Sequence, residues 1–563
     1  MKKLLALLLC VVMVASVLVG CKTPAGPDDD VETTTRKGLK APDGYTLTIG
    51  LPVNAMVEDH QDNALTKWLE EQSGYKIKIV KYQSAAVDYK SQIATQFEVP
   101  GQRMPDLLIG PNLGHITATE YGQKGRFIEL GQYFNDKEYS QQWWDRLESI
   151  DDEDFITYVK KRLFVEESGE VYYFPTIEYN MYDMIKHSAF INQEWLDRLG
   201  LPMPTNKDEL YNTLKAFKEK DANGNGDPSD EIPLLGMATG AYGDVISWIA
   251  NMFGYFEEAR PWRVDAEGNI SGIYWTEEYR EALIFMNKLM KEGLIPANIF
   301  TITQSELSNL VNPTVGEETV GVWLGHPSLV INEGSDAVYV YKAMPQWGYA
   351  IMSQPVFTAN CYITRDCEYP DAAWEILMLL SSQEGSYRLR YGDKGVDWDY
   401  ADPGTKAFTG LDAEIKVLNQ TLYGSKNKSC WNNISGAMGL ANENERTQLS
   451  ENDTAWNKAK LNMMSECFKN NWNRFEAQGG RPADTVMPLV FTAEEEKECW
   501  QWRDNSKSWF ISCRADFIKG IKDPSNDAHW QDYIKGFETQ NYEDWKEMAK
   551  HVYNMTYGDK AGK

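Results

Sequence analysis

The fold follows from residues 47–110, LTIGLPVNAMVEDHQDNALTKWLEEQSGYKIKIVKYQSAAVDYKSQIATQFEVPGQRMPDLLIG. Apolar runs predict three strands, and apolar residues at helical spacing predict two helices between them. In chain order these five elements lie at 47–51, 63–72, 77–80, 88–97 and 105–110. Such alternation is typical of a parallel sheet covered by helices. We therefore predict an α/β fold with its ligand site beyond the carboxyl ends of the strands.

The α/β pattern continues to about residue 400, and from there the chain is mostly helical and rich in Trp. Further strands are predicted at 171–175, 320–324, 349–353 and 361–364, and further helices within 189–199 and at 208–220, 276–292 and 371–382. More than 500 residues follow position 44, which is too long for one core. Two lobes and a helical C-terminal region are expected.

The first 21 residues describe an export signal. Lys2 and Lys3 precede a short apolar run, which ends in Leu18-Val19-Gly20-Cys21. This ending resembles the lipobox of bacterial lipoproteins, which implies removal of residues 1–20 and lipidation of Cys21. Residues 21–44 have no apolar period and are predicted to be a flexible spacer. The expected location is the outer face of the cell membrane, of the Gram-positive type.

Charge and motifs exclude several functions. The net charge of −27 argues against nucleic acid as a partner, because phosphate binding needs basic surfaces. The sequence has no HExxH, G-x-S-x-G or P-loop motif, so we do not expect an enzyme. No CxxC pair occurs, which disfavours zinc. Disulfides and isolated buried thiols both remain open for Cys361, Cys367, Cys430, Cys467, Cys499 and Cys513.

Three stretches together resemble one family. They are NQEWLDRLGLPMPTNKDELYNTLKAFKEKDANGNGDPSDEIPL (192–234), YREALIFMNKLMKEGLI (279–295) and ITRDCEYPDAAWEILMLLSSQEGSYRLRYGDKGV (363–396). The chain resembles the extracellular solute-binding proteins, of the family 1 type, that serve carbohydrate ABC importers. It is most similar to the large lipoproteins related to the alginate-oligosaccharide-binding type.

The resemblance implies a two-lobe periplasmic-binding-protein fold of type II, hinged, with a ligand held between the lobes. Lobe 1 is expected to comprise residues 45–175 and 357–400, and lobe 2 residues 176–356 and 401–563. The chain is expected to cross between the lobes near Tyr173–Tyr179 and Val356–Tyr362. A few residues at the ends of elements can absorb such a hinge rotation.

The implied function is capture of an oligosaccharide and its delivery to the permease subunits of an ABC importer, by a monomer. A neutral ligand is favoured, because cations near the first-lobe rim are sparse, with Arg103, Lys124 and Arg126 the nearest. A uronate oligosaccharide is the alternative ligand. A glycan-binding surface or sensory lipoprotein without transport, and a peptide-binding transport receptor, are the alternative functions.

One loop carries a calcium pattern. Oxygen-bearing side chains alternate with glycines at Asp221, Asn223, Asn225, Asp227, Asp230 and Glu231. Calcium binds six to eight oxygens, and the start of the loop copies an EF-hand. The end departs from that pattern, because position 12 is Ile232. The resembling proteins carry such a loop closed by an Asp-Glu pair, which implies a structural Ca²⁺; a solvated turn is the alternative.

Aromatic and amide side chains are the candidates for ligand contact, because flat rings cover the apolar faces of sugars and polar groups bind their hydroxyls. Resemblance to maltodextrin-type relatives implies that Trp323 and Trp248 lie in the cleft. The other candidates are Trp431, Trp347, Tyr179, Asn180, Asn54, Asp59, His60 and Asn112. Each is equally suited to core packing, helix capping or a turn.

Overall fold

The computed structural model describes residues 37–558 with short gaps. The gaps are 84–85, 151, 180–187, 241, 259–260, 266–268, 313–317, 350–355, 420–425, 434, 440–445, 449–453, 481–484 and 487. The predicted signal 1–20, the lipidation site Cys21 and the ligand candidate Asn180 lie outside the described residues. In the described part, no helix is both long and apolar enough to cross a membrane.

Fourteen strands form two main sheets and two small hairpins in the described part of the chain. The strands are β1 Thr46–Pro52, β2 Lys76–Tyr82, β3 Leu107–Ile109, β4 Phe174–Glu178, β5 Ala189–Asn192, β6 Ile232–Leu235, β7 Trp262–Val264, β8 Ile270–Gly272, β9 Val320–Leu324, β10 Tyr341–Ala343, β11 Val356–Ile363, β12 Trp398–Tyr400, β13 Ile415–Val417 and β14 Met438–Gly439.

Helices cover both sheets and dominate the C-terminal region, with a 3₁₀ turn at Ala297–Phe300. They are α1 Ala64–Ser73, α2 Ala86–Glu98, α3 Gly114–Gln123, α4 Gly131–Phe134, α5 Lys137–Glu148, α6 Glu153–Leu163, α7 Gln193–Leu199, α8 Lys207–Glu219, α9 Val245–Ala250, α10 Glu277–Lys291, α11 Gln304–Val311, α12 Pro327–Val330, α13 Ala337–Val340, α14 Pro370–Ser381, α15 Gln383–Tyr391, α16 Ala455–Ala477, α17 Ala493–Lys519, α18 Asp527–Glu538 and α19 Tyr542–Tyr557.

Lobe 1 is built on a six-stranded sheet with the order β14-β4-β11-β3-β1-β2. β1 pairs in parallel with β2 and β3, and Ile49 lies opposite Ile79 and Leu107. Asn63 caps α1 by accepting from the Leu65 backbone N–H, and Gly74 ends that helix in the left-handed conformation. The predicted β-α-β-α-β unit is therefore present, and the α/β class is confirmed.

Lobe 2 is built on a four-stranded sheet with the order β10-β5-β9-β6. β9 is buried along its whole length, as expected of a strand inside a sheet covered on both faces. The C-terminal helix α17 packs against α10 and α19, and its apolar side chains complete the core of this lobe. The two-lobe fold with a helical C-terminal region is as predicted.

The lobe boundaries differ from the prediction. Lobe 1 continues through β4 to Glu178, beyond the predicted end at 175. The chain also stays in lobe 1 past residue 400, because Trp431 lies in its core and β14 pairs with β4. β12, β13 and β14 are three residues or shorter, and strands this short leave no alternating pattern in the sequence.

The spacer prediction also needs correction at its end. Residues 37–44 were predicted to belong to a flexible spacer, but Lys37 and Gly38 bind side chains of lobe 1. These contacts use an ammonium group and a backbone N–H, so the apolar periodicity that reveals packed segments is absent here.

Six cysteines lie in the described residues, and all six are buried free thiols. Burial raises the pKa of Cys467 to about 12 and the pKa of Cys430 to about 11. A raised pKa keeps a thiol protonated and unreactive. The open choice between disulfides and buried thiols is resolved in favour of thiols.

Candidate functional site

Each main sheet has an edge at which its parallel strands end, and this edge lies at the hinge between the lobes. In lobe 1 this is the edge where β1, β3 and β4 end, and where the antiparallel β11 begins. In lobe 2 it is the edge where β6, β9 and β10 end, and where β5 begins. The chain leaves lobe 1 after β4 and enters lobe 2 at β5, and it leaves lobe 2 after β10 and enters lobe 1 again at β11, in each case at these edges. The predicted crossings at 173–179 and 356–362 largely coincide with β4 and β11, which are paired strands of lobe 1.

The lobe 1 edge contains a cavity of about 610 Å³. Amides, one guanidinium and one indole line it together with small apolar groups: Pro52, Val53, Asn54, Ala55, Gly110, Leu389, Arg390, Trp431, Asn432 and Asn433. Trp431 is fully buried, and its Nε1 donates to Thr66 Oγ1 at 2.9 Å. No carboxylate lies among these lining residues, so this wall presents mainly neutral polar groups.

The loop that carries Asn432 and Asn433 is held close to the strand ends. Asn54 Nδ2 donates to the Asn432 carbonyl at 3.1 Å, and Asn432 itself has a φ of 49°. That left-handed conformation is uncommon outside glycine. Gly110 has a φ of 93°, and a Cβ there would come within 2.8 Å of Asn433 Nδ2. Glycine at 110 therefore lets the amide loop approach the end of β3.

Asn360 provides a further amide at this edge, on β11. Its Nδ2 donates to Thr176 Oγ1 at 3.0 Å, and its backbone carbonyl accepts from the Gly110 N–H. Its buried Oδ1 has no hydrogen-bond partner among the described residues. A buried acceptor without a partner is costly, so this oxygen is suited to a ligand hydroxyl or a water.

The lobe 2 edge is aromatic. Trp248 and Trp347 lie 6.4 Å apart between ring centroids, and Trp248 Nε1 donates to Gln346 Oε1 at 2.8 Å. Tyr242 meets His326 edge to face at 5.1 Å. The Nε1 of the half-buried Trp347 has no hydrogen-bond partner within the described residues. This wall therefore offers flat apolar faces together with an indole donor.

Asp244 fixes the helix that carries Trp248. It caps α9, with Oδ1 accepting from the Ile246 and Ser247 backbone N–H groups at 3.0 Å each. Burial raises the pKa of Asp244 to about 6, and the positive charge of Arg514 opposes that rise. The cap holds the aromatic wall in place at the end of β6.

The family of this chain follows from a match over most of both lobes. Residues 51–387, more than half of the chain, match the family described as "Bacterial extracellular solute-binding protein". The chain belongs to this family. It is a solute-binding protein and not an enzyme, and the family recognised in the sequence is confirmed.

Two curated relatives of this solute-binding protein carry informative names. The "Fructooligosaccharide ABC transporter substrate-binding protein FusA" of Streptococcus pneumoniae serotype 4 is 26% identical over 298 residues, which cover 51% of each chain. "Lipoprotein LipO" of Bacillus subtilis is 28% identical over 308 residues, which cover 54% of this chain and 53% of LipO. The chain thus spans about half the length of the curated relatives it matches.

Solved structures share the fold over nearly the whole chain. An EF-hand mutant of S. pneumoniae FusA in complex with fructo-nystose matches with a TM-score of 0.65 at 18% identity, covering 92% of this chain and 100% of that one. Alginate-binding protein AlgQ2 without calcium ion matches with a TM-score of 0.59 at 17% identity, covering 91% and 99%. At these identities the likeness establishes the fold alone.

Of the predicted ligand residues, the structure brings five to the two facing edges: Asn54 and Trp431 in lobe 1, Trp248 and Trp347 in lobe 2, and the exposed Asn112 beyond β3. Asn112 has a φ of 41°, which also fits the alternative role of this residue in a turn. The side chains that sequence reasoning missed at these edges are Asn360, Arg390, Asn432, Asn433, Tyr242, His326 and Gln346.

Trp323 lies elsewhere. Its side chain is fully buried in the lobe 2 core, stacked on Phe190 at 4.3 Å and edge-on to Tyr341. Strand β9 is covered on both faces, so its aromatic residue packs against the sheet's own neighbours and presents no surface to the cleft. The expectation that Trp323 contacts ligand gains no support from this position.

Three further candidates have local roles. Tyr179 packs on Phe155 and donates to Asp152 Oδ2 at 3.0 Å. Asp59 accepts from the Gln61 N–H, which lowers the pKa of its carboxyl. His60 is buried, its carbonyl accepts from the Thr66 hydroxyl, and burial lowers the pKa of its imidazole. These are the turn and capping roles that the sequence left open.

The predicted calcium loop is an oxygen-rich turn between α8 and β6. Asp221 Oδ2 accepts from the Gly226 N–H, and Glu231 Oε1 accepts from the Ala222 N–H. The second carboxylate oxygens of Asp221 and Glu231 are buried without a partner among the described residues. The amides of Asn223 and Asn225 both donate to Asp230.

This donor set suits a hard cation, since carboxylate and amide oxygens are the ligands that Ca²⁺ prefers. Within the described residues, no three His, Cys, Asp or Glu side chains converge as a metal cluster. Two of the six predicted ligands are Asn223 and Asn225, whose amide oxygens are also ligands of the kind that Ca²⁺ prefers. Asp227 is turned away towards Ser229.

The C-terminal region also touches lobe 1 across the hinge. Lys497 of α17 lies 2.5 Å from Glu120 of α3, and the Ala493 backbone N–H donates to Glu166 Oε1 at 3.1 Å. A cavity of about 530 Å³ lies beside these contacts, between α3 and the start of α17. The C-terminal helices therefore contribute to the interface between the lobes.

Proposed function

We propose that this protein captures an oligosaccharide between its two lobes and delivers it to the permease of an ABC importer. The observation that carries the proposal is an aromatic wall around Trp248 and Trp347 on the sheet edge of lobe 2 where the chain crosses, together with an amide wall around Asn54 and Asn432 on the corresponding edge of lobe 1.

The two walls have the chemistry of a sugar site. Sugar rings present apolar C–H faces, which stack on indole and phenol rings, and equatorial hydroxyls, which bind amides. Trp347 Nε1 supplies a donor and Asn360 Oδ1 supplies an acceptor, and neither atom has a hydrogen-bond partner among the residues that the structure describes. Closure of the lobes removes water from both walls and strengthens each polar contact.

The relatives support a carbohydrate as the solute. FusA is named for fructooligosaccharides and for its ABC transporter, and its EF-hand mutant was solved with fructo-nystose. The lobe 1 cavity has a single guanidinium, Arg390, and no carboxylate among its lining residues. A neutral oligosaccharide is the first choice, and Arg390 gives a uronate a place to bind.

A lipid anchor at Cys21 is part of the proposal. The lipobox sequence ending at Cys21 supports it, as does the name of the relative LipO, a lipoprotein. A lipid tether would keep the binding protein beside its permease, because each buried CH₂ contributes about 0.8 kcal/mol to membrane binding.

A structural Ca²⁺ in the 221–231 loop is also part of the proposal. One carboxylate oxygen each of Asp221 and Glu231, buried and without a partner in the described part of the chain, supports it. One FusA structure is named as an EF-hand mutant, so a relative with this fold has an EF-hand. The ion would be held by Asp221, Asn223, Asn225, Asp230 and Glu231, and would tie the end of α8 to β6, away from both walls of the cleft.

Calorimetry on residues 22–563 tests the solute. Kestose, nystose, neutral glucans and galacturonate oligomers are titrated into the wild type, Trp347→Ala and Trp323→Phe. We expect one oligosaccharide series to bind, and Trp347→Ala to weaken it at least tenfold, which corresponds to about 1.4 kcal/mol. Trp323→Phe alters the core, so it should lower the melting temperature and leave the dissociation constant of the folded protein unchanged.

Each outcome separates the alternatives. Binding of galacturonate oligomers alone would show that the solute is an acidic oligosaccharide, and Arg390 would then be its expected charge partner. If Trp347→Ala binds the oligosaccharide as tightly as the wild type, the aromatic wall does not contact the ligand. An absence of binding to every glycan, in a protein that melts cooperatively, would overturn the oligosaccharide proposal.

A further inference from the structure

Lys37, the first residue that the structure describes, has its ammonium group surrounded by polar and aromatic groups of lobe 1. Its Nζ lies 2.6 Å from Asp136 Oδ2 and donates to the Gln132 carbonyl at 2.8 Å. The same ammonium lies 4.6 Å from the centroid of the Tyr139 ring and 5.5 Å from that of Tyr133. Its side chain is 18% exposed. Lysines in linkers normally stay in water, so a linker lysine caged by two rings and a carboxylate is informative.

The next residue continues the attachment. The Gly38 N–H donates to the Asp371 carboxylate, at 3.0 Å to Oδ2 and 3.2 Å to Oδ1. Asp371 also accepts from the hydroxyls of Tyr133, at 2.8 Å, and Tyr139, at 2.9 Å. The carboxylate thus orients both rings that cover Lys37. The two contacts form one network, and loss of either part weakens the other.

This network lies on the floor of lobe 1, opposite the cleft. Asp371 begins α14, which follows the end of β11, and Ile363 at that end pairs with Leu107 at the start of β3. The cleft lies where β3 ends and β11 begins. The whole sheet therefore separates the attachment of Lys37 from the ligand walls.

The attachment shortens the segment between the lipid site and the body. From Cys21 to Lys37 there are 16 residue steps, which span at most about 55 Å when fully extended. A compact body of the size of lobe 1 is about 45 Å across. A tether that leaves the floor must therefore be nearly extended before the cleft can face the membrane.

We propose that residues 37–45 form a latch that fixes the membrane tether to the floor of lobe 1 and directs the cleft away from the membrane. Release of the latch as far as Tyr45 adds eight residue steps, or about 28 Å of reach. The released protein can then turn its cleft to a membrane permease. The proposal rests on the lipid anchor at Cys21.

The first test measures the latch itself. Hydrogen exchange at residues 38–45 is followed in the full-length lipoprotein in liposomes, for the wild type, Lys37→Ala, Asp136→Asn and Lys40→Ala. Asparagine keeps the N-cap of α5, so Asp136→Asn removes only the charge partner of Lys37. We expect protection to fall about tenfold in Lys37→Ala and to fall in Asp136→Asn. Lys40 is exposed, so Lys40→Ala should match the wild type.

The second test measures orientation. A donor dye on Val53→Cys, an exposed position at the cleft edge, reports energy transfer to acceptor lipids, while the six native thiols in the described residues stay buried. We expect transfer to rise in Lys37→Ala and Asp136→Asn above the wild type and Lys40→Ala. Unchanged exchange, or unchanged transfer in both latch variants, overturns the proposal. If the wild type does not partition into liposomes, both the latch and the lipid anchor at Cys21 are overturned. Oligosaccharide binding is tested separately, by calorimetry on residues 22–563.

Discussion

Asp244 is a single residue whose protonation affects the aromatic wall. Its carboxyl is fully buried beneath α9, and burial raises its pKa from 3.8 to about 6. A raised pKa means that the folded state holds this proton to a higher pH than the unfolded state. Stability is therefore lost as the pH rises from 3.8 to about 6, and two pKa units correspond to about 3 kcal/mol.

We predict that Asp244→Asn removes this loss while keeping the cap of α9. In urea unfolding, the variant should gain stability over the wild type between pH 4 and pH 7.5, by up to about 3 kcal/mol.

Asp62→Asn is the opposite control, because Lys67 and Lys428 lower the pKa of Asp62 to about 2. Asp62 favours folding as the pH rises, and its loss should cost stability at pH 7.5. A difference between Asp244→Asn and the wild type that does not change with pH would contradict the prediction.

The tryptophans show what residue-level reasoning from sequence can reach. Composition and resemblance predicted an aromatic cleft, and Trp248 and Trp347 do lie together at the hinge-facing edge of lobe 2. Trp323 is stacked in the core instead, because strand β9 is covered on both faces. The five buried residues VGVWL (320–324) were a signal of such a strand. The amides at 432 and 433 reach the cleft through a loop that no local pattern marks.

Elements with strong periodicity were predictable, and short ones were not. The predicted strand 47–51 and helix 63–72 correspond to β1 Thr46–Pro52 and α1 Ala64–Ser73. Strand β14 has two residues, and it is recognised as a strand because it pairs with β4. That pairing joins residues distant in sequence, so it depends on the assembled lobe and leaves no trace in the local sequence.

The calcium loop is an element whose stability should depend on an ion. Ca²⁺ that binds only the folded state stabilises it by about 2.7 kcal/mol at one hundred times its dissociation constant. We predict that chelation lowers the melting temperature and that added Ca²⁺ restores it, with little change in oligosaccharide affinity at low temperature. Burial raises the pKa of Glu231, so protons compete with the ion and the Ca²⁺ response should weaken as the pH falls.

A matched pair of variants locates the effect. Asp221→Asn removes a carboxylate with an unpaired buried oxygen, so it should abolish most of the Ca²⁺ response. Asp208→Asn, on the exposed first turn of α8, removes the same charge and should keep the response. Equal responses in both variants, or no effect of chelation on the wild type, would show that the loop is a solvated turn.

At the scale of the whole molecule, the last passage from lobe 1 to lobe 2 lies later in the chain than residue 400, where the sequence placed it. β4 ends at Glu178 and β11 begins at Val356, which lie within the segments 173–179 and 356–362 where crossings were predicted. The place of Trp431 in lobe 1 could not be predicted from the local sequence, because Trp431 gains that place only by packing against side chains from distant parts of the chain. Lobe membership is set by such long-range contacts, whereas the helical signal beyond residue 400 is local.

The C-terminal helices join the two lobes through the Lys497–Glu120 pair, 2.5 Å long, with side chains 56% and 40% exposed. Since an exposed pair contributes about 0.2–1 kcal/mol, breaking a pair made only in the closed state should weaken ligand binding by roughly 1.5- to 5-fold. We predict this loss for Lys497→Glu and its recovery in the Glu120→Lys, Lys497→Glu double variant, measured by calorimetry at low salt. Small-angle scattering should show the ligand-free single variant more extended than the wild type. If the single variant binds as tightly as the wild type, the pair persists in the open state, and closure is a rotation that leaves the contact between α17 and α3 intact.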